Sequence, residues 1–157
     1  MLSLLLPALL GLQAPGAQPT PKPEASKTQD LKPLGFFSQK FPYRWDVMLP
    51  LKAEVDGLKL NTIFFNQREL RSNFLKGVEF GTRAQIEVTN TAKTSRMPNF
   101  AVAVFDDEGR LLGVATGGSK FTGVSPGDTE TFDLNFSKVL QRLPKGTSFV
   151  LSVELSE

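Results

Sequence analysis

The 157-residue chain contains no cysteine and no histidine. Without Cys there can be no disulfide, no thiolate nucleophile, no thiolate zinc site and no cysteine to carry a lipid anchor. Without His the usual proton carrier at neutral pH and the commonest metal ligand are missing. Net charge is also small. Eighteen Lys and Arg against 16 Asp and Glu leave a formal charge of +2, and no basic block stands out, which argues against nucleic acid as a partner. Aromatics with a polar handle are few: one Trp and one Tyr against 13 Phe. Rings that need no hydrogen-bond partner therefore fill the core. The one long apolar run, Met1 to Leu12, is shorter than the about 20 residues of a membrane-spanning helix. No transmembrane span is expected.

What is present is punctuated alternation. Val78, Phe80, Thr82, Ala84, Ile86 and Val88 share one parity, while Glu79, Arg83, Gln85, Glu87 and Thr89 hold the other. Strand side chains alternate between faces, so this is a half-buried strand; a helix would scatter the same residues around its circumference. From Asn99 to Asp106 both parities are apolar (Phe100, Val102, Val104 and Ala101, Ala103, Phe105), which predicts a strand that is central or covered on both sides. Asp106-Asp107-Glu108-Gly109 turns the chain into a hairpin partner at Arg110–Thr116. Ser125-Pro126-Gly127-Asp128 has the order of a type II turn, followed by alternation of Phe132, Leu134 and Phe136.

Earlier in the chain, Val47 to Val55 alternates and runs through Asp56-Gly57 into LKLNTIFF. Asp-Gly between alternating runs is a strong hairpin signal; a two-residue turn sets Val55 beside Leu58 and Ala53 beside Leu60. Beyond Thr62 the parity blurs, which points to a bulge or two-sided burial. Asn66 with Glu69 has the form of a capping box and Gly77 that of a stop, predicting a short helix from Gln67 to Lys76. Lys138 to Leu143 predicts one further helical turn, with Val139, Leu140 and Leu143 inward. A last strand follows from Ser148 to Leu155. About seven strands and one or two short helices predict an all-β fold, an immunoglobulin-like antiparallel sandwich.

The N-terminal third reads differently. Met1 to Leu12 is Leu-rich and uncharged, and small residues follow at Ala14, Gly16 and Ala17, as in a secretory leader cleaved before Ala17, although no basic residue precedes Lys22. Pro19, Pro21, Pro23 and Pro33 among Lys, Glu, Thr and Ser make an extended linker. The expected organisation is a signal peptide over 1–16, a linker over 17–33 and a sandwich over 34–157. Leu34 to Asp46 concentrates Phe36, Phe37, Phe41, Tyr43 and Trp45. These rings either pack over an open end or edge of the sandwich or form a partner-binding surface, and they are the candidate site.

IEVTNT (86–91), AVAVFDDEGRLLG (101–113) and SPGDTETF (125–132) resemble the small bacterial FxLYD-type and related immunoglobulin-like modules. Such modules show a strand ending in Asn-Thr, an Asp-containing turn with Gly, then Pro-Gly-acid before the next strand. The resemblance implies an exported β-sandwich of the periplasm or cell exterior, attached to the envelope by a lipid or linker.

No catalytic constellation is found. Asp106, Asp107 and Glu108 are acids of the kind calcium takes, but adjacent residues on one tight turn cannot all converge on an ion. Gly113, Gly117, Gly118 and Gly123 lack the strand–loop–helix setting of a phosphate loop and read instead as a crossing between sheets. Asn135-Phe136-Ser137 matches a glycosylation sequon inside a predicted strand. The expectation is a non-catalytic module with no cofactor or metal, whose partner is another envelope protein. The alternatives are a carbohydrate-binding module using the aromatic segment 36–45, and a hydrolase whose carboxylates are distant in sequence.

Overall fold

The computed structural model describes residues 35–67, 81–119, 121–136, 139 and 141–156. The expected signal peptide, the linker and the Gln67–Lys76 helix beyond Gln67 lie outside the described residues, as do Val78–Phe80 of the first alternating run. Among the described residues eight strands form two four-stranded antiparallel sheets. They are β1 (Gly35–Pro42), β2 (Met48–Val55), β3 (Leu58–Gln67), β4 (Thr82–Asn90), β5 (Met97–Phe105), β6 (Leu111–Gly118), β7 (Thr129–Phe136) and β8 (Ser148–Ser156). Sheet A has the order β1-β8-β5-β6 and sheet B the order β2-β3-β4-β7. The fold is thus an all-β antiparallel sandwich, with one strand more than the alternation alone delivers.

The additional strand is β1. Its two Phe parities and its Ser-Gln-Lys centre hide any simple alternation. Its register comes from pairing along the whole of β8, from Gly35 opposite Leu155 to Pro42 opposite Ser148.

Turn chemistry sets the other registers. Asp56 and Gly57 both take positive φ, 43° and 80°, as a type I′ turn requires, and Val55 pairs with Leu58 and Ala53 with Leu60 as the spacing predicts. The inward parity then changes: Leu58 and Leu60 are buried, but so are Ile63 and Phe65. A bulge between Leu60 and Thr62 inserts the extra residue, slightly earlier than the blurred alternation suggests. Gly127 at φ 84°, with the Asp128 amide donating to the Ser125 carbonyl at 3.1 Å, realises the Pro-Gly turn. Among the described residues of the helical turn foreseen over Lys138–Leu143, which exclude Lys138, only Leu143 joins one, a 3₁₀ turn over Leu143–Lys145 with Pro144 as its second residue. Leu143 is buried and Val139 packs against the core, while Leu140 lies outside the described residues.

Between the sheets lies one apolar cluster. Val88, Ile86 and Ala84 of β4 face Val102 and Val104 of β5 and Leu151 and Val153 of β8, all fully buried. The end nearer Phe65 is built of rings: Phe65 lies 5.1 Å from Phe149, and Tyr43 4.5 Å from Phe65. Asn90 is a polar exception. Fully buried where β4 ends, it donates to the carbonyls of Thr94 (2.9 Å) and Val124 (2.7 Å) and accepts from the Ala92 amide (2.9 Å). It closes the loop into β5 with every bond made inside the protein.

Candidate functional site

The five rings of the aromatic segment part company. Phe37 and Phe41 are half-buried and packed on the core, Phe41 stacked 5.3 Å from Phe149. Tyr43 is buried, and burial pushes its phenol well above the ordinary range. Its hydroxyl finds no partner among the described residues. Trp45 is half-buried against the same cluster. Phe36 alone points out, 62% exposed, on the outer face of sheet A. Alternation along β1 explains the split: Phe37 and Phe41 share the inward parity and Phe36 the other.

The face on which Phe36 stands follows from the ladder registers. Paired residues in antiparallel strands point to the same side. The middle row crosses all four strands as Ser38–Ser152–Ala101–Thr116. On one side of it lies the row Phe36–Glu154–Asn99–Gly118, on the other Lys40–Val150–Ala103–Val114. Beyond these come Met97 beside Ser156, and Ser148–Phe105–Leu111. Small and apolar side chains dominate; Lys40 and Glu154 are the only charges in these rows. Val114 and Leu111 are exposed. β5 is central in its sheet as its continuous apolarity predicts, yet among the described residues no strand covers its outer side.

The outer face of sheet B is built for water. Arg83 donates from Nη1 to both Asp133 oxygens (3.0 and 3.2 Å) and from Nε to Asn66 Oδ1 (3.1 Å). Asn61 donates to Glu87 Oε1 (3.2 Å) and Thr89 Oγ1 (2.8 Å), and the Thr89 and Thr129 hydroxyls lie 2.7 Å apart. One sheet carries a hydrogen-bonded polar lattice and the other mainly small and apolar side chains, with Lys40 and Glu154 as the charges in its rows.

On the outer face of sheet A a shallow groove of about 460 Å³ runs over Ala101, Gly117 and Gly118, with Phe36 as one wall. Asn99, Thr116, Ser119, Ser152 and Glu154 supply its polar atoms. Glu154 is its one carboxylate among the described residues. A smaller recess of about 170 Å³ opens between β1 and β2, lined by Phe41, Leu49, Leu51 and Phe149. Periodicity marks out β5 as unusual, but only the register shows that Phe36, Glu154 and Val114 share its outer face.

The acidic turn is occupied by the protein itself. Asp106 Oδ1 accepts from the amides of Glu108 (3.1 Å) and Arg110 (2.8 Å), and Oδ2 accepts from Arg110 Nε (2.8 Å). The Arg110 side chain is the main cause holding this carboxyl below the usual carboxylate range, against an opposing desolvation. Arg110 also reaches Glu108 at 2.9 Å. Among the described residues no group of three or more acidic side chains is placed to hold a metal ion, and no helix is long and apolar enough to cross a membrane.

These features define a class, the antiparallel β-sandwich with one polar and one sparsely charged outer face. Comparison with protein-family models gives no match, and comparison with curated proteins gives none either.

Proposed function

We propose that the chain is an exported, non-catalytic module of a bacterial cell envelope that binds a protein through the outer face of sheet A. The observation that carries this reading is the contrast between the two outer faces. Water-facing sheets alternate apolar-in and polar-out, as sheet B does. A contiguous patch of small and apolar side chains with few charges is a feature of interaction surfaces. Export is supported by the Leu-rich segment ahead of Ala17, and reach from an anchor by the prolines between Gln18 and Pro33. The turn pattern shared with FxLYD-type modules supports the same setting.

A photo-crosslinking residue at Ala103, on the outer face of sheet A, is expected to give covalent protein adducts in cells expressing the chain from its own start. The same residue at Glu87, on the polar face, is expected to give none. Equal labelling at both positions would remove the basis for this assignment. Within the aromatic segment 36–45 the carbohydrate reading keeps only Phe36 as an exposed ring, because Tyr43 and Trp45 are engaged with the core. Chemical-shift changes at Ser152 and Thr116 on adding a neutral oligosaccharide, with no adducts from Ala103, would transfer the role to it.

A further inference from the structure

Resting on that reading, we infer that the partner seated on the outer face of sheet A is a second copy of this chain. The face is complementary to itself. Consider two copies facing each other about a two-fold axis that lies parallel to the middle row and between the two surfaces. Ser38, Ser152, Ala101 and Thr116 then meet their own counterparts, and these small side chains allow the sheets to approach to about 10 Å. Every row on one side of the middle meets the row equally far on the other side.

The pairs made this way match in size and charge. Lys40 lies two residues along β1 from Ser38, and Phe36 two residues the other way, so Lys40 of one copy comes over Phe36 of the other. Glu154 is the ladder partner of Phe36, so the same ammonium reaches a carboxylate and a ring face together. Within one copy Lys40 and Glu154 stand two rows apart, about 14 Å by strand geometry, too far to pair. Among the described residues of this face, each charge thus finds its counter-charge only across the axis. On the far strand Val114, exposed, falls over the floor of the groove at Gly118. At the margins Phe105 meets Met97. Aligned sheet packing turns the strands by about 30°, a shift at the corners that the long Lys40 side chain absorbs.

The area bounds the affinity. Four strands of about eight residues present about 500 Å² in plan, so two copies bury about 1,000 Å², the lower limit for a specific interface. The dimer is therefore weak and concentration-dependent, dissociating in the micromolar range. Two Lys40–Glu154 contacts per dimer set its register.

Sedimentation equilibrium of the full chain over about 1 μM to 1 mM tests this, because that range spans the expected dissociation constant. The expected result is a mass that doubles with concentration, abolished by Ala101→Arg in the middle row. Lys40→Glu should weaken the dimer about tenfold by placing like charges across the axis, and the Lys40→Glu/Glu154→Lys exchange should recover most of the loss. The exchange keeps the proposal testable if Ala101→Arg misfolds. A monomer throughout the range overturns it, as does a dimer indifferent to all three variants. If the chain is monomeric while Ala103 still cross-links to a different protein, the module reading stands and self-pairing falls. A monomer in which a photo-crosslinking residue at Ala103 captures residues 1–34 of its own chain would overturn it in favour of an intramolecular cover.

Discussion

Tyr43 carries a cost inside its own core. Its ring lies among Phe65, Phe149 and Gly146, and its hydroxyl is buried without a partner among the described residues. A desolvated, unpaired hydroxyl opposes folding, so Tyr43→Phe is expected to stabilise the protein by about 1 kcal/mol in denaturant titration. Burial raises the phenol's folded pKa above its unfolded value, so the wild type's stability from this group is complete below the ordinary phenol range. It is lost as pH rises through that range toward the folded pKa, and the variant should lack this alkaline loss. Asp106 has the opposite sign. Its folded pKa lies below the unfolded value, so its stabilising contribution is complete above the ordinary carboxylate range and disappears as pH falls through the folded pKa. Melting temperatures followed from pH 6 downward should therefore fall less steeply in Asp106→Asn than in the wild type. Asn90, fully buried with three bonds to backbone groups, should cost about 2 kcal/mol when replaced by Ala, read by the same denaturant titration.

At the scale of elements, β1 shows how one strand divides its side chains between stability and surface. Phe37 and Phe41 join the ring cluster over Phe149, whereas Phe36 stands in solvent. Phe149→Ala in β8 is expected to cost about 3–5 kcal/mol, since it empties the middle of that cluster. Phe36→Ala, on the neighbouring strand and the opposite face of the same sheet, should stay within about 0.5 kcal/mol in a thermal melt. The crossing from β6 to β7 relies on glycine for a different reason. At Gly118, the last residue of β6, φ is 152° and an added Cβ would collide with the Pro98 carbonyl oxygen and the Asn99 backbone at the start of β5. Edge strand β2 carries its own irregularity, Lys52 at φ 48° beside a register shift between Pro50 and Ala53. Bulge and proline together discourage another strand from adding to that edge.

For the molecule as a whole, sheet order separates an inner set of strands from an outer one. β8 and β5 are central in sheet A, β3 and β4 in sheet B. Their amides are bonded on both sides and their inward side chains are fully buried, so hydrogen exchange should be slowest there and faster by orders of magnitude along β1, β2, β6 and β7. Dimerisation through the outer face of sheet A would leave this ranking intact, because a face contact pairs side chains and no ladder amides. Uniform exchange across all eight strands would contradict the two-sheet division. With no Cys in the chain, none of these outcomes depends on redox conditions.

Sequence alone determined the inward parity of β4, β7 and β8, the Asp56-Gly57 hairpin register and the placement of the Pro-Gly turn. Each depends on neighbours in the chain, where side-chain alternation and the φ of one or two residues suffice. It left β1 unassigned and its five rings undivided, because a strand with rings on both parities takes its register from a partner more than 100 residues away. Only the tertiary structure decided which strands share a sheet, and therefore that Phe36, Lys40, Glu154, Ala101 and Val114 occupy one surface. That surface is assembled by long-range pairing, and no local pattern of residues encodes it.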